Sequence, residues 1–130
     1  MANPNLVSVT SIHGESVGFN LSATLTSTLL TVSANKLLKI NRIVCANVDG
    51  SAAADLNLYV TKANFTSAGV TDFDTSGDFY IAKTISIPQD STLIILDTPI
   101  YLMESDVLKG GASAASDLDL YISYEVLDDA

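Results

Sequence analysis

The sequence predicts a single-domain all-β protein, an antiparallel β-sandwich or jelly-roll-like barrel. Three observations carry that expectation. A strand motif occurs twice, as Ser51-Ala52-Ala53-Ala54-Asp55-Leu56-Asn57-Leu58-Tyr59-Val60 and as Ser113-Ala114-Ala115-Ser116-Asp117-Leu118-Asp119-Leu120-Tyr121-Ile122. In each copy the leucines stand two apart, Leu56 with Leu58 and Leu118 with Leu120, so they share one sheet face. Asp55, Asn57 and Tyr59, or Asp117, Asp119 and Tyr121, take the opposite face. This is the pattern of an antiparallel sheet with one dry side. Second, turn signals recur at short intervals, and no segment keeps apolar residues at the helical steps of three and four. Third, 130 residues and 13.7 kDa suffice for one core and leave little room for a second.

Along the chain, the β-branched run from Leu6 to Ile12 predicts a strand, and His13-Gly14-Glu15-Ser16 predicts the turn that ends it. Residues 1–15 are accordingly read as an N-terminal arm or edge strand, and residues 16–130 as the sandwich domain. Val17 to Leu25 alternates clearly, with Val17, Phe19, Leu21, Ala23 and Leu25 on one face. A short strand at Leu29 to Val32 follows, and the loop Ser33-Ala34-Asn35-Lys36 leads into the nearly continuous apolar run Leu37 to Val48, which reads as a central strand. Asp49-Gly50 is the strongest turn signal, since glycine takes positive φ without penalty, and the first copy of the repeat is expected to return from it.

The stretch from Ala63 to Gly77 holds Gly69, Gly77, Asp72 and Asp74 among Ser and Thr residues, and it is the best candidate for a long functional loop. Phe79 to Ile87 resumes the alternation until Pro88, which cannot donate to a ladder. Leu93 to Leu96 and Ile100 to Met103 are short strands split by Asp97-Thr98-Pro99. Glu104-Ser105-Asp106 turns into Val107-Leu108, Gly110-Gly111 opens the second Ala/Ser loop, and Leu118 to Val126 forms the last strand. The short links favour antiparallel pairing. Such sheets have edges that need covering.

Composition bounds the function. Charged residues make up only 16% and hydrophobic ones 48%, so part of the apolar surface is expected to be covered by other subunits. The net charge of −9 is carried by the second half: up to Lys62 three acidic residues face four basic ones, and beyond it twelve face two. Without a basic field, a nucleic-acid partner lacks its main source of affinity. No stretch approaches the ~20 apolar residues of a membrane span, and the N-terminal residues have no signal-like core, so assembly in a cytoplasm is expected.

Reactive constellations are missing. Cys45 is the only cysteine and sits in the apolar run Ile43-Val44-Cys45-Ala46, where a thiol behaves as a small hydrophobe. His13 is the only histidine and reads as an exposed turn residue, so triads, zinc sites and phosphate cradles lack their parts. No enzyme activity and no cofactor are expected. The least weak chemical option is calcium, for which Asp72, Asp74 and Asp78 offer hard oxygens, although their spacing does not match the twelve-residue helix-flanked loop and a solvated acidic loop is the better account of them. Asp117 and Asp119 share a strand face and need solvent or a partner.

The succession Ser33-Ala34-Asn35-Lys36, Ile43-Val44-Cys45-Ala46-Asn47-Val48-Asp49-Gly50, Tyr80-Ile81-Ala82-Lys83-Thr84-Ile85-Ser86-Ile87-Pro88, Leu102-Met103-Glu104-Ser105-Asp106 and Ser123-Tyr124-Glu125-Val126 resembles small virion structural proteins of tailed bacteriophages, especially those of cyanobacteria and marine bacteria. The resemblance covers about residues 28–127. Its motifs are strand and turn signatures and mark no chemical site. The sequence departs from that pattern at Ser33, where a proline is usual, at Glu104-Ser105-Asp106, where a glycine sits in the turn, and in its extra residues 1–27.

The resemblance implies a non-enzymatic particle component, and two readings follow. One is a capsid decoration or cement protein that binds the major capsid protein as a homo-oligomer, a trimer being favoured, through an arm made of Ala2, Asn3, Pro4, Asn5, Leu6, Val7, Ser8 and Val9. The other is a neck, tail or fibre component contacting another tail protein or a host glycan through the surroundings of Phe65, Phe73 or Tyr80. A carbohydrate-binding module outside any virus is a weaker third, since the chain has no Trp.

Overall fold

Alternation of apolar and polar residues at a step of two recurs through the chain, and most such runs become strands. The computed structural model describes residues 5–70 and 76–128. Its strands are β1 (Ser11–Asn20), β2 (Thr28–Thr31), β3 (Lys36–Asn47), β4 (Ala54–Lys62), β5 (Gly77–Ile87), β6 (Thr92–Leu96), β7 (Ile100–Leu102), β8 (Val107–Ala112) and β9 (Leu118–Asp128), and every pairing is antiparallel. One sheet has the order β1-β9-β3-β6, with β7 also paired to β3, and the other has the order β2-β8-β4-β5.

Strand β6 pairs with the second half of β3 and β7 with its first half, so the two act as one strand broken at Asp97-Thr98-Pro99. With β6 and β7 taken together, two four-stranded sheets face each other with the strand order of a jelly roll. The expected all-β sandwich is what the chain forms.

The two copies of the repeated motif start β4 and β9, which lie in different sheets. Leu56 and Leu58 from one sheet and Leu118, Leu120 and Ile122 from the other are fully buried in the same core, with Ile40, Ile43, Cys45, Ile87, Leu102 and Leu108. Each such aliphatic side chain contributes roughly 1.5–3 kcal/mol on burial. Burial, aided by the charge of Asp119, pushes the Cys45 thiol up to about 12, which removes it from thiolate chemistry at neutral pH.

Four local expectations are corrected. The first strand is Ser11–Asn20, so His13-Gly14-Glu15-Ser16 is strand interior and not a turn, and Leu6 to Ser8 forms a turn instead. Pairing of ten consecutive residues with β9 outweighs the local turn signal of His13-Gly14. The division at residue 15 therefore falls inside β1. Second, the run from Val17 ends at Asn20, because Leu21 to Ser27 turns toward β8, with Ala112 N donating to Ser22 O (2.9 Å) and Gly110 N to Ser27 O (3.0 Å).

Third, Asp49-Gly50 does not close a hairpin. β3 and β4 belong to different sheets, the chain crosses between layers there, and Gly50 is not among the residues with positive φ. Fourth, Gly110 and Gly111 lie within β8 and open no loop. A Cβ on Gly110 would stand 2.3 Å from Asn57 O, and one on Gly111 would stand 2.4 Å from Thr24 O, so close backbone approach requires both glycines.

Polar side chains satisfy the backbone where the chain changes layers. Buried Asn47 donates to Ile87 O (2.9 Å) and Ala52 O (3.0 Å) and accepts from Asp49 N (2.9 Å), tying the end of β3 to the other sheet. Asp106, 1% exposed, performs the same task at the opposite end. Its carboxylate accepts from Lys62 Nζ (2.7 Å), Met103 N (2.8 Å) and Ala63 N (3.1 Å), and its carbonyl accepts from Val32 N (3.0 Å).

Next to it, Ser105 stands at φ 70°, the left-handed region that favours glycine.

Replacing Asp106 by Ala is expected to lower stability by about 3–5 kcal/mol, because it strands Lys62 and two backbone donors, and urea unfolding reads this directly. Ser105→Gly is expected to raise stability by about 1 kcal/mol in the same assay by relieving the backbone.

Candidate interaction surfaces

The inner faces of both sheets are committed to the core, so function rests on outer faces, edges and the mouths between the layers. Register locates the outer face of the β1-β9-β3-β6 sheet. Gly18 lies opposite Tyr121, Tyr121 opposite Val44, and Val44 opposite Ile94. These four residues form an apolar row across four strands. Tyr121 and Ile94 are about half exposed, at 53% and 50%. Gly18 offers no side chain to cover the Tyr121 ring, and the Tyr121 hydroxyl meets Ser16 Oγ at 2.7 Å.

On the other sheet the equivalent tyrosine of the repeat is treated differently. Tyr59 is buried against Tyr80 of β5, with ring centroids 4.9 Å apart, and the Lys83 ammonium lies 5.0 Å from the Tyr80 ring centre. Asn57 of β4 is also buried, and its Oδ1 accepts from the backbone N of Thr84, which stands at φ 53° where β5 slips register.

Two concavities open between the layers. One, of about 350 Å³, has Leu30, Val32, Leu38 and Val126 as apolar lining and His13, Glu15, Tyr124, Lys36 and Asp128 as polar groups. Lys36 Nζ bonds Asp128 Oδ2 at 2.8 Å. The Glu15 carboxylate lies near the Tyr124 hydroxyl. The other, of about 430 Å³, is lined by Val60, Phe79, Ile100, Tyr101 and Leu102, with the Lys62–Asp106 pair beside them. The first holds the sole histidine, in a strand and not in a turn. Cys45 is in the core, out of contact with either opening.

The residues singled out from sequence fall as follows. Of the arm, Ala2, Asn3 and Pro4 lie outside the described residues. Asn5 caps the turn after it, its Oδ1 accepting from Val7 N (3.0 Å) and its carbonyl from Ser8 N (2.9 Å). Leu6 and Val7 are exposed, Val7 almost completely at 95%. Ser8 is exposed as well, and Val9 is half-buried just before β1.

Of the acidic trio, Asp72 and Asp74 lie outside the described residues, and Asp78 accepts from Thr61 Oγ1 (2.8 Å) across β4 and β5. Among the described residues, no three His, Cys, Asp or Glu side chains gather in a way that would hold a metal ion. Asp119 has the partner it needs in Asn20 Nδ2 (2.6 Å). Phe65 is half-buried with Lys62 Nζ 4.7 Å from its ring centre, Tyr80 is about half exposed, and Phe73 lies outside the described residues.

The apolar row escaped sequence reasoning because its four members come from four separate segments. The only advance signal was the exposed-face position of Tyr121 in the repeat.

Burial raises both the Tyr59 and the Tyr124 phenols above their ordinary value of 10.0; Asp78 and Tyr80 add to the first, and the nearby Glu15 to the second. In the unfolded chain both ionise near 10, so above that pH the native state holds more protons and stability falls. Absorbance titration is expected to show these two of the five tyrosines ionising late. Unfolding free energy should be insensitive to them below pH 10 and decline as pH rises through their folded values.

No protein-family model matches the chain, and no curated protein matches it. Among solved structures it is similar to the VP2 subviral particle of infectious bursal disease virus, with a TM-score of 0.34, 12% identity, and coverage of 91% of this chain and 32% of that one. It is also similar to the Gt strain of infectious bursal disease virus, with a TM-score of 0.31, 10% identity, and coverage of 92% of this chain and 30% of that one. The chain therefore spans about a third of the length of those viral chains.

Proposed function

We propose that this protein is a non-enzymatic structural component of a tailed-phage virion, a capsid decoration or cement protein that binds the major capsid protein. In this reading it assembles with the particle in the host cytoplasm, and its copies associate as a homo-oligomer, a trimer. The observation that carries the proposal is the apolar row Gly18-Tyr121-Val44-Ile94 on the outer face of a sheet whose inner face is already used. A charge-poor sandwich with half-exposed aliphatic and aromatic groups in line is suited to lying on another protein. The exposed Leu6 and Val7 beside the start of β1 supply a second contact of the same chemistry.

Exposure of Phe79 and Tyr80 near the start of β5 favours a second reading, a neck, tail or fibre component. Copy number separates the two. Hundreds of copies per particle belong to decoration, and a dozen or fewer to the neck or tail.

For decoration, Ile94→Asp is expected to weaken binding to purified shells more than tenfold, since a charge buried against an apolar partner surface stays unpaired. Deleting residues 2–9 is expected to abolish binding while the domain keeps its circular dichroism and melting temperature. Undiminished shell occupancy in both variants would overturn the proposal.

A further inference from the structure

Four strands or strand pairs end the two sheets, and three of them are blunted. β2 has only four residues, β5 slips register twice and carries Lys83, and the β6/β7 edge is broken at Pro99. β1 has none of these devices. It pairs with β9 through ten consecutive residues without a register shift, and it contains no Lys, Arg or Pro and one charge, Glu15. A long, regular edge without blunting is a template for another strand.

The ladder identifies which backbone groups of β1 have no strand partner among the described residues. Leu21 N donates to Leu118 O (2.9 Å), and Val48 N donates to Asp117 O (2.8 Å). By the alternation of antiparallel pairs, the odd-numbered residues of β1 bond β9, whose own odd-numbered residues bond β3. The N–H and C=O groups of Ile12, Gly14, Ser16, Gly18 and Asn20 therefore point away from the sheet. Three of these residues, Gly14, Ser16 and Gly18, are small, so a strand can approach without meeting side chains.

We infer that β1 is the site at which a second copy of this chain adds its own β1, antiparallel, about a two-fold axis at Ser16. β1 is complementary to itself about that axis. A two-fold at Ser16 sets Gly14 against the partner's Gly18, and Ile12 against the partner's Asn20. Every outward backbone group from residue 12 to residue 20 then finds its complement. Val17 of the partner subunit stands opposite Glu15, and Phe19 of the partner subunit opposite His13. Moving the axis one residue toward the N terminus would place the two Glu15 side chains face to face, which like charge disfavours. The contact is isologous and closes on itself, so it joins two copies without propagating into a fibre. It stands apart from the virion reading, and it joins two trimers as readily as two single chains.

The test uses the full chain. Ser16→Pro removes one outward donor while leaving every backbone bond between β1 and β9 in place, and it loses only the exposed Ser16 Oγ–Tyr121 hydroxyl contact, so the variant is expected to keep its circular dichroism and to melt within a few degrees of the wild type. Sedimentation equilibrium is expected to show the wild-type mass halved in that variant. Because Cys45 is buried, Ser16→Cys is expected to link chains in pairs under mild oxidation, seen on a non-reducing gel, whereas Thr28→Cys on the β2 edge is not. A wild-type protein that stays a single chain at millimolar concentration, a mass unchanged by Ser16→Pro, or equal linking through Thr28→Cys would each overturn the inference. Should Ser16→Pro fail to fold, the Ser16→Cys and Thr28→Cys pair decides alone.

Discussion

The two sheets are held together by one layer of aliphatic side chains between them, and most of the other features answer to that layer. Ile40, Ile43, Cys45, Leu120 and Ile122 project into it from one sheet, and Leu56, Leu58, Ile87 and Leu108 from the other. Because a strand turns alternate residues to opposite sides, filling the layer settles which residues face outward as well. It also forces the chain to cross between sheets repeatedly, and each crossing takes backbone groups out of their ladders. Asn47 and Asp106 sit at two such crossings and supply the missing partners. A buried polar group is tolerated there because it is fully bonded.

What lies outside the layer differs between the sheets. One outer face carries the polar bonds of Asn57 and Thr84 and the stacked pair Tyr59 and Tyr80. The other carries the apolar row through Tyr121 and Ile94 and ends in the unblunted β1. Reactive groups are kept apart: the thiol is in the core, and the histidine lies at one mouth between the layers.

Much of the fold was legible in the residues, and the failures have common causes. The strands over Ala54–Lys62, Gly77–Ile87 and Leu118–Asp128 follow from alternation, and Lys36–Asn47 follows from a nearly continuous apolar run, each to within a few residues. Glycine as punctuation predicts a turn at His13-Gly14 and a loop at Gly110-Gly111, whereas one glycine sits in a long pairing with β9 and the others make room for a neighbouring backbone. Asp49-Gly50 was read as a hairpin, although the same turn chemistry serves a crossing between sheets. The candidate surface was less legible still, since neighbours on a sheet face are far apart in sequence.

The repeat shows where the boundary lies. Its alternation by itself determined that Leu56 and Leu58, and Leu118 and Leu120, would be buried, because a period of two needs no knowledge of partners. The fates of Tyr59 and Tyr121, identical in position within the motif, were decided only by tertiary structure. Tyr59 is buried because β5 brings Tyr80 beside it, and Tyr121 is exposed because β1 brings Gly18, which has no side chain to cover it. A residue's own strand sets the side to which it points. The adjacent strand, distant in the chain, sets whether that side meets water.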